Sequence, residues 1–240
     1  MTAEEKLKTA RFLDLAAGSL LSGYRIPERD YHFCDSEDLE SGNVETGDSL
    51  EEIAAEIRAC RACALCEGRT NAAPGEGAQQ PLVMVIGEGP GADEDAAGRP
   101  FVGRAGQLLD RMLDSIGLSR NSNCFIANVV KCRPPNNRDP LPHETAACAS
   151  FLERQIHLLH PKYILCAGRI AAQTLLKTSE PVGRLRGKFT ELSIGGAVIP
   201  LLVTYHPSAL LRNEDLKRPA WEDLKLLRSR LQENGDMAET

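Results

Sequence analysis

The sequence contains no run of eighteen apolar residues, which excludes a membrane-crossing helix on the usual length argument. Its opening stretch, MTAEEKLKTARFLDLAAGSLL, carries acids and an Arg where a signal peptide requires an unbroken apolar segment. A cytoplasmic protein is expected. Positive charge is also in short supply: 28 Lys and Arg stand against 34 Asp and Glu, a net charge of −6, which on its own disfavours a nucleic-acid partner. The glycine-rich stretches hold neither G-x-G-x-x-G nor the lysine of a P-loop, which argues against a cofactor gripped by its phosphate chain.

Cysteine, by contrast, is plentiful. There are eight, and three of them fall within CRACALC at positions 60–66. A chain of 240 residues buries a sufficient core without covalent staples. In a reducing compartment such residues serve as metal ligands, catalytic groups or small hydrophobes rather than disulfides. The cluster therefore raises a metal question.

The negative charge is unevenly spread. Residues 1–59 hold 6 Lys and Arg against 14 Asp and Glu, a net of −8, whereas residues 60–240 hold 22 against 20, a net of +2. The acidity belongs to the N-terminal quarter, where ERDYHFCDSEDLESGNVETGDSLEE lacks apolar periodicity and reads as a solvated linker. Ahead of it, Leu7, Phe12, Leu13, Leu15, Leu20 and Leu21 predict a short helix. The expected organisation is an extension over residues 1–49, with a boundary near Asp48, a folded domain over 50–232 and a tail over 233–240.

Within the domain, SLEEIAAEIRAC opens on Ser49 with Glu52 three residues on, a capping box, so Cys60 should lie near a helix end. PLVMVIG, NCFIANVV, KYILCAG and VIPLLVTY are short apolar runs of the kind buried on both faces of a sheet. Helical patterns separate them: GQLLDRMLDSIGL, HETAACASFLERQIHLL and RIAAQTLLK. This alternation predicts a three-layer α/β/α fold around a mostly parallel four-stranded sheet, with FTELSIGGAVIP as an antiparallel hairpin before the last strand.

Open sheets of this kind bind ligands beyond the carboxyl ends of their strands. There the sequence places GEGPGADEDAAGRPFVG, the run from Asn128 into VVKCRPPNNRDP, and YHPSALLR. Singly, each has a plain reading: GEGPG as a tight turn, Asn128 as a cap, His206 as a satisfied structural histidine, and Asp93, Glu94 and Asp95 as a solvated face. Their joint occurrence, in this order and at one end of the sheet, makes them a candidate site.

Together these three stretches resemble the family 4 uracil-DNA glycosylases, the iron-sulfur branch of that superfamily, over residues 50–230. The resemblance implies a [4Fe-4S] cluster held by C-x2-C, a long insertion and C-x15-C, which Cys60, Cys63, Cys132 and Cys148 match while Cys66 is left over. Four thiolates on chemical grounds suit either such a cluster or a structural zinc ion. Cys34, Cys66, Cys124 and Cys166 are read as bystanders, the last two as hydrophobes within strands. Hydrolysis of an N-glycosidic bond moves no electrons, so the cluster's implied task is to pin the helix from Ser49 and the loop from Lys131 to Cys148 beside the DNA.

The resemblance also implies site roles. The substrate base must be flipped out of the stack and held. Phe101 resembles the stacking residue, and Asn128 the reader, its amide accepting from uracil N3–H and donating to O4. Cytosine presents the opposite pattern, and an amide held in place rejects it by leaving buried polar groups unpaired, at about 1 to 3 kcal/mol each. His206 resembles the donor to uracil O2, with Gly89 in the backbone turn beside it. Glu94 matches the carboxylate that orients water or stabilises the sugar cation, with Glu88 in the same turn. Ala92 stands where many relatives carry a further acid.

Lys131, Arg133 and Arg138, with Arg184, Arg186 and Lys188 of GRLRGKF, are expected to neutralise phosphates. Ser208 resembles a further phosphate contact. Leu210, Leu211 and Arg212 follow on the loop that enters the duplex in relatives, where apolar wedges offset lost stacking. The expected partner is uracil-containing DNA, double- or single-stranded, bound by a monomer without membrane association. Two rival classes are a non-catalytic zinc- or cluster-bearing DNA-binding module and an iron-sulfur electron carrier or nucleotide-binding enzyme.

Overall fold

The computed structural model describes residues 48–237 apart from Gly195. The helix expected over residues 7–21, the acidic linker to residue 47, Cys34 and the last three residues of the tail lie outside the described residues.

The domain opens with α1, Leu50–Ala59. Its capping box forms as expected: the Ser49 N–H donates to the Glu52 carboxylate at 2.8 Å and the Glu52 N–H to Ser49 Oγ at 3.1 Å. The turn α2, Leu65–Gly68, follows the first cysteines. Strands β1, Glu76–Gly77, and β2, Val83–Gly87, lead to α3, Ala92–Ala97, and α4, Arg104–Asp114. Then come β3, Cys124–Asn128, α5, Pro142–Leu159, β4, Tyr163–Ala167, and α6, Arg169–Leu176. The turn α7, Val182–Leu185, precedes the hairpin of β5, Phe189–Ile194, and β6, Ala197–Thr204. The chain finishes with α8, Pro207–Arg212, and α9, Lys217–Glu233.

The sheet order is β1-β3-β2-β4-β6-β5. Strands β3, β2, β4 and β6 pair in parallel, which is the expected four-stranded centre, while β1 and β5 add antiparallel edges and bring the count among the described residues to six. A hairpin forms at FTELSIGGAVIP, but its second arm is the start of β6, the last strand itself, and not a separate strand before it. The two-residue β1 carries too little pattern to be read.

Every residue of β2, β3 and β4 is buried, because helices cover both faces. Met84 and Ile86 point toward Ile53, Ile57 and Leu152, whereas Val83 and Val85 point toward Leu109, Leu113 and Leu224. That second face is closed largely by α9, whose Ala220, Leu224, Leu227 and Leu231 are buried. It is absent from the sequence expectation because the interleaved charges of KRPAWEDLKLLRSRLQE dilute its apolar stripe. Among the described residues, no helix is long and apolar enough to cross a membrane.

Candidate active site

The carboxyl ends of β2, β3, β4 and β6 open into one cavity of about 720 Å³. Its floor is made by Asn128 and Phe101, and its walls include Glu88, Gly89, Glu94 and His206. Ser208 and Arg212 stand on the side contributed by α8. The polar turns thus converge as the strand-end argument requires.

Asn128 is 1% exposed, and its Oδ1 is the one buried side-chain polar atom among the described residues that has no hydrogen-bond partner. A buried acceptor left unmade costs about 1 to 3 kcal/mol, so such atoms persist where a ligand completes them. Gly87 makes the arrangement possible: a Cβ there would stand 2.5 Å from Asn128 Oδ1 and 2.5 Å from Phe101 Cζ.

Phe101 is buried and has a φ of 53°, in the left-handed region that bulky residues avoid. Such a backbone costs on the order of 1 to 3 kcal/mol and survives only when its surroundings determine it. Here they do. Glu94 Oε1 accepts from the N–H groups of Val102 and Gly103, both at 2.9 Å, and its Oε2 accepts from Gly91 N–H at 3.1 Å. Arg120 donates to the carbonyls of Pro100 at 3.1 Å and Phe101 at 2.8 Å while pairing with Glu76 and Asp110. Gly106 lets α4 approach, since a Cβ there would lie 1.9 Å from the Phe101 carbonyl oxygen. Glu94 therefore uses Oε1 to hold the loop that presents Phe101 and Oε2 to cap the start of its own helix.

His206 packs its ring against Phe101, the centroids 5.4 Å apart. Its Nδ1 accepts from Ser208 N–H at 3.1 Å and lies 2.8 Å from Ser208 Oγ. A backbone N–H can only donate, so Nδ1 is unprotonated and the neutral ring carries its proton on Nε2. Burial, followed by the charge of Arg212, pushes the His206 pKa down to about 4 against a smaller opposing pull from Glu94. The ring is thus a neutral donor at physiological pH. Glu88 differs from Glu94: burial, then the nearby Asp139, raises its pKa, with Arg169 and Arg212 opposing.

A second, smaller cavity is bordered by Cys60, Cys63, Cys66, Cys132 and Cys148 together with Arg69 and Lys131. All five thiols are free. Arg69 Nη1 donates to Cys132 Sγ at 3.0 Å while its Nη2 donates to the Arg58 carbonyl at 2.6 Å, which ties the end of α1 to the later cysteine pair. Ala62 N–H donates to Cys60 Sγ at 3.4 Å. Among the described residues no three His, Cys, Asp or Glu side chains converge so as to hold one metal ion. Cys124 and Cys166 are buried within strands, as the sequence implies.

The family model of the Uracil DNA glycosylase superfamily matches residues 74–225, which span both the cavity-forming turns and most of the sheet. The chain belongs to that superfamily. It is 42% identical over 182 residues to the type-4 uracil-DNA glycosylase of Archaeoglobus fulgidus, covering 74% of this chain and 91% of the relative. To the type-4 uracil-DNA glycosylase of Saccharolobus solfataricus it is 45% identical, covering 77% and 87% of the two chains. The type-4 uracil-DNA glycosylase of Thermotoga maritima is 42% identical, with 79% of this chain and 99% of the relative covered.

Within this glycosylase fold, three residues expected to face DNA are placed otherwise. Lys131 is 1% exposed and donates to Gln155 Oε1 at 2.7 Å, so it serves the interior and not a phosphate. Arg186 forms a bidentate pair with buried Asp223, at 2.9 and 2.8 Å, and lies 5.6 Å from the Tyr205 ring centroid, which commits it to joining α7 to α9. Leu210 is 2% exposed because α8 packs on α4, whereas the adjacent Leu211 is 40% exposed.

Ser208 bonds His206 at the cavity wall. Arg133 is half-buried with its Nε on Asn137 Oδ1 at 2.8 Å, Arg138 forks onto Glu144 at 2.8 and 2.6 Å, and Arg184 and Lys188 are exposed. Sequence reasoning missed Arg120, Asp139 and Arg169. No short-range pattern marks them, although Arg169 does begin the helix that follows a strand end, the one positional signal available.

Proposed function

We propose that this glycosylase binds an extruded deoxyuridine in the 720 Å³ cavity and hydrolyses its N-glycosidic bond, the first step of base excision repair in the cytoplasm. The observation that carries the reading is the orphaned Asn128 Oδ1. Uracil N3–H supplies the missing donor, and the other end of the same amide donates to O4; cytosine offers an acceptor at the first position and a donor at the second. Phe101 stacks on the base, and its pre-set backbone means that little freedom is lost on binding.

Water adds to C1′ as the bond from C1′ to N1 breaks, the electron pair leaves with uracil, and the proton shed by the water is made up on the uracil anion through solvent. The His206 Nε2 proton, held in place by the Ser208 bonds to Nδ1, donates to the developing charge on O2. Positive charge growing on the sugar requires an anion, and Glu88 is the reading the geometry supports over Glu94. Both line the cavity, but Glu94 is tied down by three backbone N–H groups, whereas the Glu88 carboxylate has no such bonds and is free to face the sugar. Glu94 then acts as a positioning residue for Phe101.

The cysteine site fits a [4Fe-4S] cluster better than zinc. The five cysteines border one small cavity, Cys60 and Cys132 receive N–H···S bonds of the kind that stabilise cluster thiolates, and the likeness to iron-sulfur glycosylases favours iron over zinc. Cys60, Cys63, Cys132 and Cys148 would hold it, and bound there it would join α1 to the loop between β3 and α5. Its chemistry is structural, because the hydrolysis needs no electron.

The test is uracil release from single-stranded, U:A and U:G oligonucleotides by wild type and Asn128→Ala. Release by the wild type with loss in the variant supports the reading. Tight DNA binding without release would instead favour a non-catalytic module.

A further inference from the structure

With Lys131 and Arg186 committed to the interior, the cavity mouth must find its phosphate-binding charge elsewhere. Three arginines line the cavity; Arg138 is forked onto Glu144, which leaves Arg212 at the end of α8 and Arg169 at the start of α6. Arg169 Nη2 pairs with Asp139 Oδ2 at 2.5 Å, and the two residues line the cavity from separate segments, a helix start and a loop thirty positions apart. The two side chains are 48% and 57% exposed. A pair this open to water contributes little, about 0 to 1 kcal/mol, and is easily exchanged. A phosphate accepts two parallel guanidinium bonds and is the stronger partner once water is excluded.

We propose that Asp139 is the resting counter-ion of Arg169, and that DNA displaces it so that Arg169 joins Arg212 in gripping the backbone phosphate beside the extruded nucleotide. The inference rests on the reading of the cavity as a nucleotide site. The exchange uses no net charge in the free enzyme and deploys a cation only when a phosphate is present, which suits a chain of net charge −6. It also removes the Arg169 charge from among the groups that oppose protonation of Glu88 and returns Asp139 to solvent.

The probe is a single-stranded oligonucleotide carrying a tetrahydrofuran abasic analogue, which cannot be cleaved, with binding followed by fluorescence anisotropy across a salt titration. Arg169→Gln is expected to weaken binding by about tenfold and lower the salt slope by about 0.7, the value for one phosphate contact on a single strand. Asp139→Asn should tighten binding severalfold in the wild-type background and have no effect on top of Arg169→Gln. Arg169→Lys, which keeps the charge, should retain most of the affinity and guards against a folding defect. Unchanged affinity and slope in Arg169→Gln would overturn the proposal. So would an equal gain from Asp139→Asn in both backgrounds, because that is general charge repulsion and not exchange. Wild-type uracil release, assayed separately, reports on the glycosylase reading alone.

Discussion

The base cavity and the cysteine region are joined by a single stretch of chain, from Asn128 to Cys132, yet they are prepared in opposite ways. In the cavity the groups that would hold the base are fixed by protein bonds: Glu94 and Arg120 hold the Phe101 loop, Ser208 holds His206, and one buried acceptor is left open. The cysteine region has gathered its donors around Arg69 and Lys131 but has no group to join them among protein atoms. On the proposed reading, the base cavity is held by protein bonds, and the cysteine site is held by its cluster. Losing a polar contact in the cavity should therefore cost activity, whereas losing one among the cysteines should cost the fold.

The widest separation is expected from Asn128→Ala. Two hydrogen bonds to the base are removed, at about 1 to 3 kcal/mol each, so uracil excision falls by orders of magnitude while the melting temperature changes little, since Oδ1 has no partner to lose. Asn128→Asp should also lose uracil, and a protonated form could pair with cytosine and yield weak cytosine release. Near-wild-type turnover by Asn128→Ala would sink the site assignment.

Next in size are the cysteines. Ser at Cys60, Cys63, Cys132 or Cys148 is expected to bleach the visible absorbance of anaerobically purified protein and lower its melting temperature, with matching loss of iron. Cys66→Ser should leave both nearly intact even though Cys66 borders the same cavity. Equal losses at Cys66 would show that the ligand set is misassigned.

The two glutamates sharpen the comparison within the cavity. Glu94→Gln weakens charge-assisted bonds to three N–H groups and should lower stability by about 1 to 3 kcal/mol along with activity. Glu88→Gln should cut turnover without that loss of stability. Because burial raises the Glu88 pKa above 4.5, its carboxylate loses charge earlier on acidification than an ordinary glutamate, and the acid limb of the rate profile should disappear in Glu88→Gln. The sign for stability is the reverse: a raised folded pKa favours the fold below the unfolded value and loses that contribution as pH rises, so Glu88→Gln should melt higher at neutral pH. His206, with its pKa near 4, stays neutral through this range and is not the titrating group.

The smallest effect is expected at the N-terminus. A chain beginning at Thr46 keeps Asp48, whose carboxylate pairs with Arg154 at 2.6 and 2.7 Å, and discards most of the acidic segment. Its excision activity should be unchanged and its DNA affinity equal or slightly higher, measured at low salt where repulsion is least screened. Loss of catalysis by the folded shortened chain would move the domain boundary upstream.

What the sequence by itself determined was everything carried by local pattern. Apolar runs flanked by turns specified the four parallel strands, Ser49 with Glu52 specified the start of α1, and the order of motifs specified which strand ends carry chemistry, because these signals depend on neighbours a few residues apart. Tertiary structure decided how each polar side chain is employed. Lys131 and Arg186 look from sequence like phosphate ligands, but partners 24 and 37 positions away draw them inward. Leu210 and Leu211 are adjacent in sequence and are separated only by which face of α8 meets α4. Glu94 and Glu88 are both acids in one loop, and they part because backbone N–H groups eight and nine residues on close over Glu94. A hydrogen bond or a burial is a relation between distant segments, so the residue's type states what it can do and the fold states what is left for it to do.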